Sequence, residues 1–309
     1  MRLTLFYLWL WAPAFGSGGD SGFDWSTIPD LYPGVKHAEV IVGSPRPMVF
    51  NVLRIDAKHT SIRFHTTERH PDWGRPMEAF PQLKIRTGRQ STSAYLNRQR
   101  EAGKNMIAAI NASPWRPWSE FDGMQKLLGE RYRYPFAGEM GLNINDGKII
   151  DFANSRATGT LVFNRNGTIR ILNTNPRIHS SPDTDSMRTA VSGFGIVLAN
   201  GVASGSIANP QPRTGYGLGS EGRYLILLTV DGRQTDYSEG ASLREVGDWL
   251  LFFGAWDGIN MDGGGSTTMV LRDPVSGMVN VKNSPQNEAF EGGGERPVGN
   301  NFGIYFFPN

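Results

Sequence analysis

The segment Asp262-Gly263-Gly264-Gly265-Ser266 sets a carboxylate directly before three residues without side chains and then a hydroxyl. Consecutive glycines let the backbone approach a ligand closely and present bare N–H groups, as an anion or an oxygen-rich substrate requires. A tight structural turn is the other reading of such a run. It is neither a GxGxxG fingerprint nor a Walker loop, because no lysine follows. Asp231-Gly232-Arg233 follows the apolar run Tyr224–Val230 at once, and Arg213 stands in Asn-Pro-Gln-Pro-Arg-Thr. Arginine suits planar, bidentate contact with phosphate, although a single arginine is equally read as a solvated surface residue. Glu239 in Tyr-Ser-Glu-Gly and Glu295-Arg296 before the last apolar run add loop carboxylates that would serve as acid, base or ligand, or simply face solvent. Asn111 ends the apolar run Met106–Ile110, and five aromatics follow it (Trp115, Trp118, Phe121, Tyr132, Tyr134). Such a loop either stacks on a sugar face or packs locally as a flap.

These residues need strand ends to hold them. Tyr224–Val230 reads as a buried strand, Ser242 with Glu245 forms a capping box opening a helix over Leu243–Phe253, Gly254 stops it, and Asp257–Met261 returns as a strand. The lengths imply a βαβ unit: a parallel pair with a right-handed crossover. Asp231 and Asp262 would then leave the carboxyl ends of parallel strands, where open α/β sheets place their ligands, and both acids are expected to face one cleft. The helix N-terminus at Ser242 would point free N–H groups toward the same end. Earlier, His37–Gly43, Phe50–Asp56 and Thr60–Thr67 alternate as half-buried strands, and Ser91–Ala102 has helical spacing. Asn145-Asp-Gly147, Asn166-Gly167 and Asn200-Gly201 mark hairpins. The expected class is α+β: a mixed β-sheet with a few helices, including the C-terminal βαβ unit, in a single compact domain.

The 309 residues carry 31 Lys+Arg and 29 Asp+Glu, a net charge of +2 that makes nucleic acid a poor default partner. There is no cysteine, which excludes thiol nucleophiles, thiolate zinc sites and disulfides. The five histidines show no HxxxH pairing, so any metal would be held mainly by oxygen, as Ca²⁺ or Mg²⁺. No cofactor is implied beyond that possible divalent cation. Arg2, the apolar run Leu3–Phe15 and the small residues Ala14–Gly18 have the layout of a secretory signal peptide over residues 1–18. A linker over 19–36 and one domain over 37–309 follow, with no membrane span in the mature chain and a secreted or periplasmic location.

Taken in order, Asn-Pro-Gln-Pro-Arg213-Thr, Thr-Val-Asp231-Gly-Arg233-Gln, Tyr-Ser-Glu239-Gly-Ala-Ser-Leu-Arg-Glu-Val-Gly-Asp-Trp-Leu, Gly-Ala-Trp-Asp-Gly-Ile-Asn-Met-Asp262-Gly-Gly-Gly-Ser-Thr-Thr-Met-Val and Glu295-Arg-Pro-Val-Gly-Asn-Asn resemble the phosphodiester glycosidase family. Two segments depart from its pattern. Ile110-Asn111-Ala112-Ser113-Pro114-Trp115 stands where the family tends to have Ile-Asn-Gly-Gly-Phe-Phe, and Ser192-Gly-Phe-Gly195 where it has Gly-Gly-Pro. The resemblance implies hydrolysis of a glycosyl 1-phosphodiester of the N-acetylglucosamine type to free sugar and phosphomonoester. On that reading Asp262 supports the anomeric centre or activates water, with Glu239 or Asp231 as its partner. Arg213 and Arg233 neutralise the phosphate, and Asn111 and the Gly263–Gly265 amides orient substrate, with Ser266, Glu295 and Arg296 alongside. A non-catalytic envelope glycan-binding module on the same fold is the competing reading.

Overall fold

Strands covered on both faces divide the core into layers. Along Met48–Asp56, Phe50 and Val52 join one buried cluster while Leu53 and Ile55 join another. Tyr224–Val230 does the same, with Ile226, Leu228 and Val230 on the first side and Leu225 and Leu227 on the second. Successive strand side chains point to opposite faces, so a doubly covered strand reads as a continuous apolar run. The computed structural model describes residues 5–8, 22–78, 80–116, 135–152, 156–180, 182–286 and 294–307.

These two strands pair antiparallel inside a nine-stranded sheet. Its order is Leu5–Leu8, Val35–Val42, Met48–Asp56, Tyr224–Val230, Arg213–Leu218, Asp257–Asn260, Gly195–Ala199 and Val202–Ala203, with Asp30–Tyr32 paired to Val35–Val42. A five-stranded sheet packs on its second face: Val279–Val281, Met269–Arg272, Asn105–Asn111, Asn301–Phe306 and Ile62–Thr66. Ile110, Met269, Phe302 and Ile304 from this sheet meet Leu53, Leu227, Tyr216 and Ile259 from the first. Among the described residues, two α-helices form the outer layers, α1 (Thr92–Glu101) and α2 (Leu243–Phe252). Tyr95 and Leu96 of α1 cover Met106, Ala109 and Val270, whereas Val246, Trp249 and Leu250 of α2 cover Phe50, Val52 and Leu228. The layers therefore run helix, sheet, sheet, helix. A further five-stranded sheet, Lys148–Asp151, Asn143–Asn145, Met187–Gly193, Gly159–Asn164 and Ile169–Asn173, adds Leu161, Phe163 and Val191 to the inner core. Its hairpin turns through Asp146 (φ 45°) and Gly147 (φ 74°), and Asn200 (φ 50°) with Gly201 (φ 75°) makes a second turn of the same kind.

Two expectations need correction. Tyr224–Val230 and Asp257–Asn260 run in the same direction but are not neighbours, because Arg213–Leu218 lies between them, antiparallel to both. The expected parallel pair is thus split by a strand whose glycines make it inconspicuous in the sequence. The stretch expected as a linker to residue 36 contributes to the core from Phe23 onward: Phe23, Trp25 and Ile28 are buried, and the Trp25 indole donates to Phe253 O at 2.9 Å. Aromatic bulk inserted under α2 explains why these residues do not behave as a tether. Leu5–Leu8, in the segment with the layout of a signal peptide, pairs parallel with Val35–Val42 in the full chain.

The capping box is present. Ser242 Oγ accepts from Glu245 N at 3.3 Å, and Glu245 Oε2 accepts from Ser242 N at 2.8 Å and from Arg46. Burial raises the Glu245 carboxyl, but Arg46 and the Ser242 donors outweigh it and hold it below its usual range. Ser242→Ala is expected to cost about 1 kcal/mol, read as a lower midpoint in denaturant at neutral pH. A depressed carboxylate stabilises above its unfolded pKa and loses that contribution as pH falls through its folded value, so Glu245→Gln should destabilise at neutral pH and progressively less in acid.

Candidate active site

Asp262 follows the strand Asp257–Asn260, and its main chain is held on both sides. Its N–H donates to Ala112 O at 3.1 Å, and its carbonyl accepts from Asn111 Nδ2 at 2.8 Å. Asn111 Oδ1 in turn accepts from Thr214 Oγ1 at 2.7 Å and Thr268 N at 3.1 Å, and Tyr216 Oη donates to Asn111 O at 2.9 Å. One buried amide thereby joins the ends of strands from both large sheets at the root of Asp262. Asn111 is 0% exposed, so its polar atoms serve this junction, and the structure places it behind Asp262 rather than on an open surface.

Asp262 is half-buried as a residue, and its carboxylate is well supplied with donors. Oδ1 accepts from Gly263 N at 3.0 Å, and Ser266 and the Trp115 side chain also hydrogen-bond the group. Burial pushes its pKa up, and Ser266, the Arg296 charge, the Gly263 amide and Trp115 oppose that rise. Arg296 is itself buried, and its Nη1 donates to Ser266 Oγ at 3.3 Å.

The three glycines have separate steric causes, and each involves an arginine or its neighbour. A Cβ on Gly263 would stand 2.9 Å from Pro212 O and 3.7 Å from Arg213 Cδ. One on Gly264 would stand 3.3 Å from Arg233 Nη2, at a residue with φ +61° that favours glycine in any case. One on Gly265 would stand 2.5 Å from Arg296 Nη2 and 2.8 Å from Gln286 O. Arg233 and Arg296 thus crowd Gly264 and Gly265, the Pro212 carbonyl crowds Gly263, and Arg213 lies in ordinary contact beside it. Arg213 is steered by Ala241 O (3.1 Å) and Asn209 O (3.2 Å), and Arg233 Nη2 donates to Gln211 Oε1 at 2.8 Å. Burial and then the Arg233 charge lower the Arg213 pKa, as expected for a half-buried cation with a second cation nearby.

The other expected residues separate. Asp231 leaves the same end of the sheet, since Val230 pairs with Arg213 and Met261 N donates to Thr214 O at 2.9 Å. Its carboxylate, however, is 1% exposed and taken up by Asn283 Nδ2 (2.9 Å), Ser284 N (2.9 Å) and Tyr237 Oη (3.2 Å). Asn283 also bonds Thr267 O and Met269 N, so Asp231 fastens the 283–284 segment next to the glycine turn. Glu239 lies on the exposed loop after it, with Arg233 N donating to its carbonyl at 3.4 Å, and its carboxylate has no hydrogen-bond or ionic partner among the described residues. Glu295 instead caps α1: its Oε1 accepts from Ser93 N at 2.9 Å and its Oε2 from Ser93 Oγ. Four of the five aromatics noted above, Trp118, Phe121, Tyr132 and Tyr134, lie outside the described residues. Among the described residues no three acidic or histidine side chains converge as metal ligands.

Sequence reasoning missed the supports. Glu139 pairs with Trp115 across a short sheet and is 5% exposed, and burial pushes its carboxyl well above the usual range. Asn300 Nδ2 donates to it at 3.1 Å and also to Ser113 Oγ and Asn143 Oδ1. Their only trace is a lone acid or amide inside an apolar stretch.

A family model described as phosphodiester glycosidase matches residues 104–305, a span that contains the whole Asp262 turn and its arginines. The chain belongs to the phosphodiester glycosidase family. No curated protein matches it by sequence. Solved structures share the fold of this phosphodiester glycosidase chain at low identity. The catalytic domain of zebrafish N-acetylglucosamine-1-phosphodiester alpha-N-acetylglucosaminidase, auto-inhibited by its pro-peptide, superposes with a TM-score of 0.62 at 16% identity, covering 90% of this chain and 87% of that one. A putative exported protein from Burkholderia pseudomallei K96243 gives 0.55 at 15% identity, with 86% and 75% covered. A hypothetical protein from Synechocystis gives 0.56 at 11%, with 89% and 62% covered.

Proposed function

We propose that this phosphodiester glycosidase hydrolyses glycosyl 1-phosphodiesters, of the N-acetylglucosamine type, at the bond between the anomeric carbon and the phosphate oxygen. The observation that carries the reading is the crowding of Arg213, Arg233 and Arg296 around the Gly263–Gly265 turn that follows Asp262. Cleavage gives the departing phosphomonoester a second negative charge, and its second pKa, about 6, lets it leave without a proton donor. Guanidinium groups stabilise that developing charge more than they stabilise the singly charged ester, whereas the Gly263 and Gly264 amides are taken up by Asp262 Oδ1 and Pro212 O. Asp262, anionic, takes a proton from the attacking water or faces the cationic anomeric carbon, and Glu239 supplies the second carboxylate. Water oxygen bonds to the anomeric carbon as the carbon–oxygen bond to phosphate breaks, giving free sugar and phosphomonoester. Asn111 acts as a positioning residue, and Asp231 holds the neighbouring segment.

The test is release of sugar and phosphomonoester from a synthetic N-acetylglucosamine 1-phosphodiester, with proton NMR reporting the first anomer formed. Arg233→Ala should weaken ground-state and transition-state contacts together, raising KM and lowering kcat/KM by about 10-fold or more. No turnover over a panel of sugar 1-phosphodiesters, with glycan binding unchanged in Asp262→Asn, would instead establish the binding-module reading. We also propose export, on the layout of residues 1–18, with removal of Leu5–Leu8 leaving the Glu39–Val42 part of its partner strand as sheet edge beside Asp30–Tyr32. The mass of the protein recovered outside the cytoplasm tests this, and a full-length cytoplasmic product would contradict it.

A further inference from the structure

Away from Asp262, two clefts of about 270 and 540 Å³ adjoin each other through shared walls at Phe64, Arg188 and Thr189. Together they are lined by Arg63, Arg69, Lys104, Lys148, Arg165 and Arg188, against only Glu68 and Asp146. Six cations less two acids leaves +4 on this one surface, while the whole chain sums to +2. Only part of that charge is compensated. Arg188 pairs with Asp146 at 3.3 Å and Lys104 with Glu68 at 3.5 Å. Arg63 and Arg165 are held by backbone carbonyls, of Thr60 and Ile62 and of Asp185, and Arg69 by Ile149 O and the Trp73 ring. Lys148 has no partner among the described residues. Carbonyl tethers fix a guanidinium in place without neutralising it, so its charge is offered to whatever occupies the cleft.

The geometry points to this double cleft as a binding groove for a polyanionic glycan chain. A single phosphodiester is already matched by the arginines at the glycine turn, so uncompensated cations spread along a groove fit a ligand with repeated negative charges. Between the cations stand neutral polar groups, Asn145, Asn164, Thr168 and Thr189, suited to sugar hydroxyls. Phe64 lies 4.4 Å from Phe163 and 5.6 Å from Phe302, centroid to centroid, so these rings are packed inward, and Tyr305 is half-buried against the Met106 and Val270 cluster. They therefore do not form the stacking platform by which proteins grip unpaired bases. The strand Ile62–Thr66 that floors the groove ends beside the catalytic junction, where Thr66 Oγ1 donates to Asn300 Oδ1 and Thr67 N to Asn301 O at 3.1 Å. A chain lying in the groove is thus aimed toward the Asp262 end of the molecule. The choice of a glycan over other polyanions rests on the glycosidase reading above.

The experiment compares the full chain with Arg63→Ala/Lys148→Ala/Arg165→Ala, measuring affinity for heparin, neutral dextran and a single-stranded oligothymidylate at several salt concentrations. These side chains stand at a strand surface and hairpin positions, so the fold is expected to hold, with circular dichroism as the check. Heparin should bind the wild type, more weakly as salt rises, and at least 10-fold more weakly in the triple variant, while Asp262→Asn binds as the wild type does. Turnover of the small sugar 1-phosphodiester should be unchanged in the triple variant, which separates the groove from the catalytic site. Heparin affinity equal in wild type and triple variant overturns the proposal, and so does oligothymidylate binding as tight as heparin. Failure of turnover in the wild type, with heparin binding intact and groove-dependent, removes the catalytic reading and leaves the groove standing.

Discussion

Asp262→Asn is expected to lower turnover of a glycosyl 1-phosphodiester by a factor on the order of 10³, while unfolding at nearly the temperature of the wild type. The fold is kept because the groups that fix residue 262 act mainly on its backbone: Ala112 O accepts its N–H and Asn111 Nδ2 donates to its carbonyl. An asparagine Oδ1 also retains the contact with Gly263 N. What is lost is the negative charge at the anomeric carbon and the capacity to take a proton. The pH profile carries a second reading of the same group. Burial raises the Asp262 carboxyl, and the active form is the anion, so kcat should fall with decreasing pH through a limb above the ordinary aspartate value of about 3.9. Arg296→Gln removes a charge that opposes the rise, and the limb should move further upward. Unchanged kcat in Asp262→Asn, or an acid limb that ignores Arg296, would transfer the catalytic role to Glu239.

Much of this arrangement is legible in the sequence, and the parts that are not have physical reasons. Tyr224–Val230 announces itself by seven residues that are almost all apolar, and α2 by a capping box and a terminating Gly254 at φ +100°. The intervening strand Arg213–Leu218 does not, because Gly215 and Gly217 lower its strand propensity. Those glycines exist because α2 and the chain after it lie directly on the strand. A Cβ at Gly215 would stand 2.9 Å from Val246 Cγ1, and one at Gly217 would stand 2.5 Å from Ala255 Cβ. Close helix–sheet packing thus erases the local signal of the strand it depends on, and the sequence pattern alone presents the two flanking strands as neighbours. Residue types around the site were likewise visible, but not their direction. Asp231 and Asp262 sit in similar settings, acid before glycine at a strand end, yet Asn283 and Ser284, some 50 residues further on, claim the first carboxylate. Glu295 is drawn off by Ser93, 202 residues away in sequence. Only tertiary contacts decide such cases, since local sequence carries no record of which distant donor arrives.

Asn111→Ala is the variant that separates positioning from substrate contact. The side chain makes three internal hydrogen bonds, to Asp262 O, Thr214 Oγ1 and Thr268 N, in a place with no exposure to water. Truncation leaves the Thr268 N–H and Thr214 hydroxyl without this acceptor, at about 1–3 kcal/mol for each buried group. A total near 3 kcal/mol is expected, seen as a fall in the denaturant midpoint at constant slope. Because Asp262 loses one of its two backbone anchors, kcat should drop by about 10–100-fold with KM little altered, as displacement of a reacting group rather than loss of a binding contact predicts. Asn111→Asp sharpens the test: it keeps an acceptor for Thr214 and Thr268 but cannot donate to Asp262 O, and it buries a charge opposite that carbonyl. It should therefore be no more active than Asn111→Ala. A raised KM with unchanged stability in either variant would return Asn111 to the substrate-binding surface, whereas joint loss of stability and kcat ties the rate of this enzyme to the junction where its two large sheets meet.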